Sequence, residues 1–272
     1  MVEMSDWAGL VRGRTDDFDA LTVSATVAPA GGSWSGPFRV VGSDGNDYFV
    51  KSLETCPAGE GASLAIEHVV AGVGRLIGAP VCTTSLIRIT SDIAGWEPRP
   101  GVPLAPGLAH ASRALEHADE MGRPALSARH QDDNRRRHAG IYALFDWCVG
   151  SDNQWLYDLD NDRTIYSHDH GLYLPPPGRA IIDAASLQAQ VDVPNQLSDP
   201  ADGLLPGAVE DVAQALERVT RADLAAVLNS VPAAWPVTDA DLEALGWFLE
   251  RRCTPVAERL RRMPLTTTGT AQ

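Results

Sequence analysis

DGNDYFVKSLETCPAGEGASLAIEHVV, residues 44–70, puts a lysine at the end of an apolar run and a glutamate 16 positions later, inside a helical pattern. Lys51 is the only lysine of the chain: of 22 basic residues the other 21 are arginine, a bias expected of a GC-rich coding sequence. Alternation along a strand places Tyr48 and Val50 on one side and Phe49 and Lys51 on the other. A surface charge at a strand end would be served equally well by arginine. A site that needs a compact ammonium with three donors, and no planar fork, does not accept that exchange. Gripping the phosphates of a nucleotide is such a task. Glu67, facing the apolar neighbours of its helix, would alone be an ordinary helical glutamate. Beside a strand lysine it becomes a candidate for the ion pair that aims the ammonium at phosphate oxygens. Just upstream, PAGGSWSGPF (29–38) is a glycine-rich turn between strands. Gly31, Gly32 and Ser33 could lay backbone N–H groups over phosphates, although most such turns are plain hairpins.

A chain of 272 residues suffices for one large domain or two lobes, each with its own core. Hydrophobic content of 44% and charged content of 21% are those of a globular protein. Cys56, Cys82, Cys148 and Cys253 lie far apart with no CxxC pair, which argues against a zinc ribbon or a disulfide scaffold. The opening MVEMSDWAGLVRGRTDDFD is polar and acidic, without the apolar core of a signal peptide. No apolar run approaches the roughly 20 residues that span a bilayer. The sequence therefore predicts a soluble, cytoplasmic protein with no membrane insertion. The formal net charge of −14 would repel a nucleic-acid backbone, so general nucleic-acid binding is disfavoured. The one dense basic run, NRRRHAG at 134–140, opens a predicted helix, where a solvated face is its ordinary reading. It is also the one visible candidate for a positive mouth toward an anionic acceptor.

Along the chain the character changes once. Residues 20–28, ALTVSATVA, alternate as a half-buried strand does, and GPFRVVGSDGNDYFVKS holds two extended runs joined by an Asp44-Gly45 turn. A helix over 63–77 ends at Gly78 and Pro80, and VCTTSLIRI at 81–89 is a further strand. Residues 95–107, GWEPRPGVPLAPG, form the best candidate linker. Beyond it come helices at 135–150, 208–219, 221–231 and 238–263, the last opened by Thr238 and Asp241 in a capping-box arrangement and expected to kink or break at Pro255. One extended piece, 154–178, reads as a hairpin with a DNDR turn. The predicted organisation is a strand-rich N-terminal lobe over 1–105, a helical C-terminal lobe over 106–263 carrying that hairpin, and a disordered tail over 264–272.

The hairpin is flanked by two aspartates. Asp152 follows the end of an apolar helix, and Asp169 follows a strand and precedes a residue pair ending in glycine. Carboxylates at opposite ends of a short hairpin can converge, and hard oxygen donors suit Mg²⁺, which takes one or two of them together with substrate phosphates. SHDHG admits a rival reading, a transition-metal hydrolase on His168, Asp169 and His170. Strand alternation sets both histidines on one side and Asp169 on the other, and no partner motif accompanies His130 or His138. His170 reads better as a hydrogen-bonding residue beneath the turn.

The order of these parts resembles the protein-kinase-like fold, and more closely the HipA-like kinase domain, a bacterial relative of the phosphatidylinositol kinases. AGGSWSGPFRVVGSDGNDYFVKSL is similar to that family's phosphate-covering hairpin and lysine strand, and AIEHVVAGVGRLIGAPV to its glutamate helix. PGLAHAS resembles the segment after its hinge, LFDWCVGSDNQWLYD its catalytic loop, and SHDHGLYL its metal-binding turn. The ending VPAAW…FLERRCTPVAERL resembles its terminal helices, so the likeness runs over about residues 29–262. It implies an α+β, two-lobed fold with an antiparallel-sheet N-lobe and a mainly helical C-lobe, binding ATP and Mg²⁺. Lys51 would hold the α- and β-phosphates and Glu67 would brace it. Asp152 would orient or deprotonate the hydroxyl of a protein, peptide or small-molecule acceptor, and Asp169 would bind the metal. The chain departs from the family at one place. The usual Arg-His pair after the aspartate is absent, and the metal-binding asparagine, commonly about five residues on, has no counterpart there. Asn153 or Gln154 would have to supply that contact, or the chain is a nucleotide-binding pseudokinase.

Overall fold

The computed structural model describes residues 2–29, 35–121, 133–151, 155–198 and 203–265. Its first body is a closed five-stranded barrel in the order β1 (Leu21–Pro29), β2 (Phe38–Gly42), β3 (Asp47–Lys51), β5 (Gly107–Arg113), β4 (Thr84–Ile89). Every pairing is antiparallel except β1 with β4. The Asp44-Gly45 turn joins β2 to β3, with Gly45 at φ +79° and the Asp44 carboxylate accepting from the Asn46 N–H and the Tyr48 hydroxyl. Alternation turns Phe38, Val40, Tyr48, Val50, Ile87, Ala109 and Ala111 into the barrel. Phe49, Lys51, His110 and Ser112 therefore face outward, toward a cleft.

The second body is mainly helical. It holds α2 (Asn134–Trp147), α3 (Ala184–Gln190), α4 (Pro206–Arg218), α5 (Arg221–Asn229) and α6 (Asp239–Arg261). A small sheet of β6 (Ala118–Met121), β7 (Trp155–Asp158) and β8 (Thr164–Ser167) faces the barrel across the cleft. Between the bodies lies α1 (Ala62–Leu76), buried along most of its length in the larger core. Its glycines admit close neighbours: a Cβ on Gly72 would lie 2.7 Å from Val227, and one on Gly74 2.8 Å from Val81.

Three features differ from the sequence reading. First, 95–107 does not separate the lobes. β5 begins at its last residue and is hydrogen bonded between β3 and β4, so the barrel extends through Arg113, past the boundary drawn at 105. The preceding Pro- and Gly-rich stretch folds back on itself, with paired backbone bonds between Trp96 or Gly95 and Leu104. Second, the opening residues, assigned to the first lobe, pack on the second. Trp7, on the 3₁₀ turn Met4–Trp7, is fully buried and donates to Glu250 at 2.7 Å. Arg14 reaches Asp239, Pro232 and Val237. Third, α6 runs through Pro255 without a break. The missing N–H and the ring clash cost on the order of 3 kcal/mol in a free helix. Here Val256, Ala257 and Leu260 are buried in the core, and that packing outweighs the loss. The Thr238/Asp241 capping box forms as read, each side chain accepting from the other's backbone N–H. The predicted tail falls largely at 266–272, outside the described residues.

Gly246 of α6 sits against Trp7, and an added Cβ would lie 2.2 Å from the indole ring. Alanine gains about 1 kcal/mol of helix propensity over glycine, but overpacking of this depth costs about 1–3 kcal/mol. Gly246→Ala should therefore lower the urea midpoint. In a Trp7→Ala background the same change should become neutral or stabilising, since the clash is gone.

Candidate active site

The outer face of the barrel presents two rows of side chains to the cleft. Register pairs Lys51 with His110, and, one step outward, Arg39 with Phe49 and Phe49 with Ser112. The rows are roughly 7 Å apart, two residues of strand. Leu156 of β7 and the turn at 167–172 form the opposite wall, and the cleft encloses about 770 Å³.

Lys51 is 8% exposed and its ammonium reaches across the cleft. It donates to Glu67 Oε1 and, at 2.5 Å, to Asp169 Oδ1. Glu67, 3% exposed on α1, uses its other oxygen to accept the backbone N–H of His170 at 2.9 Å. One carboxylate thus ties the barrel lysine, the helix and the Asp169 turn together. Burial opposes the charge on Lys51, but the facing carboxylates of Glu67 and Asp169 outweigh it and raise its pKa. Burial would likewise raise Glu67, and the charge of Lys51, with the hydrogen bonds from Lys51 and the His170 N–H, reverses that and lowers it. The ion pair is the state of the site at neutral pH.

Asp169 has φ +53°, a left-handed conformation that turns its side chain, one-third exposed, into the cleft. Gly171 lets the turn approach α1: a Cβ there would meet Glu67 Oε1 and Ser63 Cβ, both at 3.3 Å. His170 is buried beneath, its Nε2 bonded to Ser167 Oγ at 2.8 Å and its ring edge-on to Tyr173 at 5.0 Å between centroids. Burial depresses its pKa to about 4, so it is neutral. Among the described residues no three His, Cys, Asp or Glu side chains form a metal-holding group, and the His170 Nε2 is engaged by Ser167 Oγ. The site offers oxygen donors.

Lys51, Glu67 and Asp169 are thus brought together from β3, α1 and the turn after β8. Gly31, Gly32 and Ser33, and Asp152, Asn153 and Gln154, lie outside the described residues. Ser151 Oγ donates to the Leu172 carbonyl at 2.6 Å, and the Leu174 N–H to Cys148 O at 2.9 Å, joining the stretch before Asp152 to the stretch after Asp169. The basic run supplies no mouth to the cleft. Arg135 donates to Gly203 O, Arg136 pairs with Asp133 and Asp211, and Arg137 lies over the Tyr166 ring. Among the described residues, the arginines that line the cleft are Arg39 and Arg113. His110 escaped the sequence reading, though the alternation Leu108, His110, Ser112 signals a strand face. It is 3% exposed, with Nδ1 unpartnered and burial holding its pKa well below the usual value.

A barrel bearing a lysine, a helix whose glutamate meets it, and a mainly helical lobe returning an aspartate to the same ammonium make up a two-lobed protein-kinase-like fold. The comparison with solved structures agrees. The proinflammatory kinase CtkA of Helicobacter pylori superposes with a TM-score of 0.52 at 12% identity, over 88% of this chain and 96% of that one. Two structures of the Golgi casein kinase, one with Mn/ADP bound, superpose more loosely, with TM-scores of 0.46 and 0.48 at 11% identity over 95% of this chain and 75% of theirs. No protein family and no curated protein matches the sequence. No helix among the described residues is long and apolar enough to cross a membrane.

Proposed function

We propose that this chain is an ATP- and Mg²⁺-dependent phosphotransferase of the HipA-like kind, acting on a hydroxyl of a protein, peptide or small molecule. The observation that carries the proposal is the buried Lys51–Glu67 pair meeting Asp169 across the cleft. Placing an ammonium there costs desolvation that a merely structural contact would not need, and a nucleotide's phosphates are a ligand that uses it. On this reading Lys51 holds the α- and β-phosphates and Glu67 keeps it aimed. Asp152 orients the acceptor hydroxyl and takes its proton as the acceptor oxygen bonds to the γ-phosphorus and the bond to the β,γ-bridging oxygen breaks. Asp169, with Asn153 or Gln154, would hold Mg²⁺, and these all-oxygen donors fit that ion. When bound, the ion neutralises charge on the phosphates.

One observation favours a second reading, a nucleotide-binding pseudokinase. β7 begins at Trp155, so the position five residues after Asp152 is Tyr157, fully buried within a strand. A metal-binding asparagine cannot stand there. A single experiment separates the two. ATP with Mg²⁺ at about 100 times the dissociation constant should stabilise the chain by about 2.7 kcal/mol, read as a rise in Tm. If the chain is a kinase, Asp152→Ala keeps that rise and loses phosphoryl transfer. A rise with no transfer in the unaltered chain selects the second reading, and no rise at all defeats both.

A further inference from the structure

Helix α2 ends in a reversal that glycine normally supplies. The N–H of Gly150 donates to Phe145 O at 2.8 Å and that of Val149 to Asp146 O at 3.4 Å, the two bonds of a Schellman turn after Trp147. The left-handed residue such a turn requires is here Val149, at φ +51°. A β-branched side chain in that region costs on the order of 1–3 kcal/mol. Burial of the valine in the main core, where it is 3% exposed, offsets part of the strain. The next residue is Gly150, where an added Cβ would lie 2.4 Å from the Phe145 ring. Strain of this kind persists only where its surroundings over-determine it.

What over-determines it comes from 45 residues downstream. The side-chain amide of Asn195 donates to Phe145 O at 3.1 Å and to Gly150 O at 2.9 Å, the two ends of the reversal. Its backbone N–H donates to Asp146 Oδ1 at 2.9 Å. Asp146 is buried and accepts from Arg252 at 3.0 Å and from Arg259 through two bonds of 2.7 and 2.9 Å. Arg252, fully buried on α6, also donates to the carbonyls of Trp147, Gln190, Val191 and Val193. One arginine thereby grips both the end of α2 and the segment that delivers Asn195. Asn195 itself is only partly buried and fills no core space. Its contribution is the direction of two N–H donors.

We infer that Asn195 is a positioning residue: its amide fixes the backbone course of 148–151, from which Asp152 follows. The catalytic meaning of this rests on the phosphotransferase reading; the positioning does not. Because Ser151 and Cys148 are bonded to Leu172 and Leu174, the junction that Asn195 closes also sets the exit of the Asp169 turn.

The test uses the full chain with Asn195→Ala, which removes both donors, and Asn195→Asp, which keeps the size and sets a carboxylate against two carbonyl oxygens. Amide hydrogen exchange at Val149 and Gly150 should accelerate at least about 10-fold in both variants, most in the aspartate, while β2 and β3 keep their protection. Phosphoryl transfer should fall on the order of 100-fold, the scale of a misplacement of about 1 Å. The KM for ATP and the nucleotide-dependent rise in Tm should stay within about twofold. Unchanged exchange at Val149 and Gly150 overturns the inference, as does an acceleration spread evenly over the chain. Should the aspartate variant not fold, the alanine variant decides. Should the unaltered chain transfer no phosphate, the exchange data still decide the positioning, and only the reading of the reaction falls.

Discussion

Lys51→Met should destabilise the chain by about 3–5 kcal/mol, because it strands the Glu67 carboxylate in a site where it is 3% exposed. The measurement is urea unfolding at neutral pH. The sign of each partner's shift defines where the loss is seen. Glu67 is depressed below 4.5, so its stabilisation is present above that pH and is lost as acid reaches its folded pKa. Lys51 is raised above 10.5, so its contribution holds below that pH and is lost beyond it. The penalty should thus be flat between pH 7 and 9. Adding Glu67→Gln should recover most of it, since glutamine carries no charge and its carbonyl can still accept the His170 N–H. The double variant should nevertheless show no stabilisation by ATP and Mg²⁺, which separates ligand loss from fold loss. A Lys51→Met penalty under about 1 kcal/mol would mean the pair is solvated. A nucleotide response surviving in the double variant would remove the basis of the proposed function.

Acid should destabilise the fold from about pH 6.5 downward, through its buried histidines. Burial depresses His68 to about 4, His170 to about 4, and His110 well below 6.5. In the unfolded chain each takes up a proton near pH 6.5. Between about pH 6.5 and 4 the unfolded state therefore binds more protons, and stability falls as pH falls. A shift of the size seen for His68 corresponds to about 2–3 kcal/mol by pH 4.5, and three such groups would consume much of a typical 5–15 kcal/mol. Glu67 adds little above pH 4.5, since most of its loss comes between its ordinary value of 4.5 and its depressed folded value. Tm should drop steeply from pH 6.5 to 4.5, and His110→Gln should flatten the slope. An even Tm across that range would show these rings to be solvated.

How far the site could be read from sequence depended on whether its partners are local in pattern. The lysine and glutamate announce themselves by residue type against strand and helix period, and Asp169 by the glycine that follows its turn. β5 did not, because its inward positions are Ala109 and Ala111, too small to mark an apolar stripe, and prolines precede it. Asn195, Asp146 and Arg252 were out of reach for another reason. Asn195 and Arg252 bond mostly to backbone carbonyls, which every residue has, and Asp146 accepts from groups 49 to 113 residues away, all gathered by packing rather than by any motif. Trp7 is a partial signal: one indole in a polar stretch suggests a docking site, but not on which lobe. The arginines at 135–137 show the converse, a conspicuous run absorbed by neighbours.

The two bodies are stitched at places remote from the 114–117 connection. The opening residues grip α6, and Arg88 of β4 holds the carbonyls of Asp16 and Phe18 where that segment enters the barrel. Pro80 and Cys82, leading into β4, exchange backbone bonds with Ser167 at the end of β8. Helix α1, buried along most of its length, packs between the two bodies. Widening the slot would break the Pro80–Ser167 and Cys82–Ser167 backbone bonds, so the spacing of its two walls is tied to the pairing of β4's entry with the end of β8.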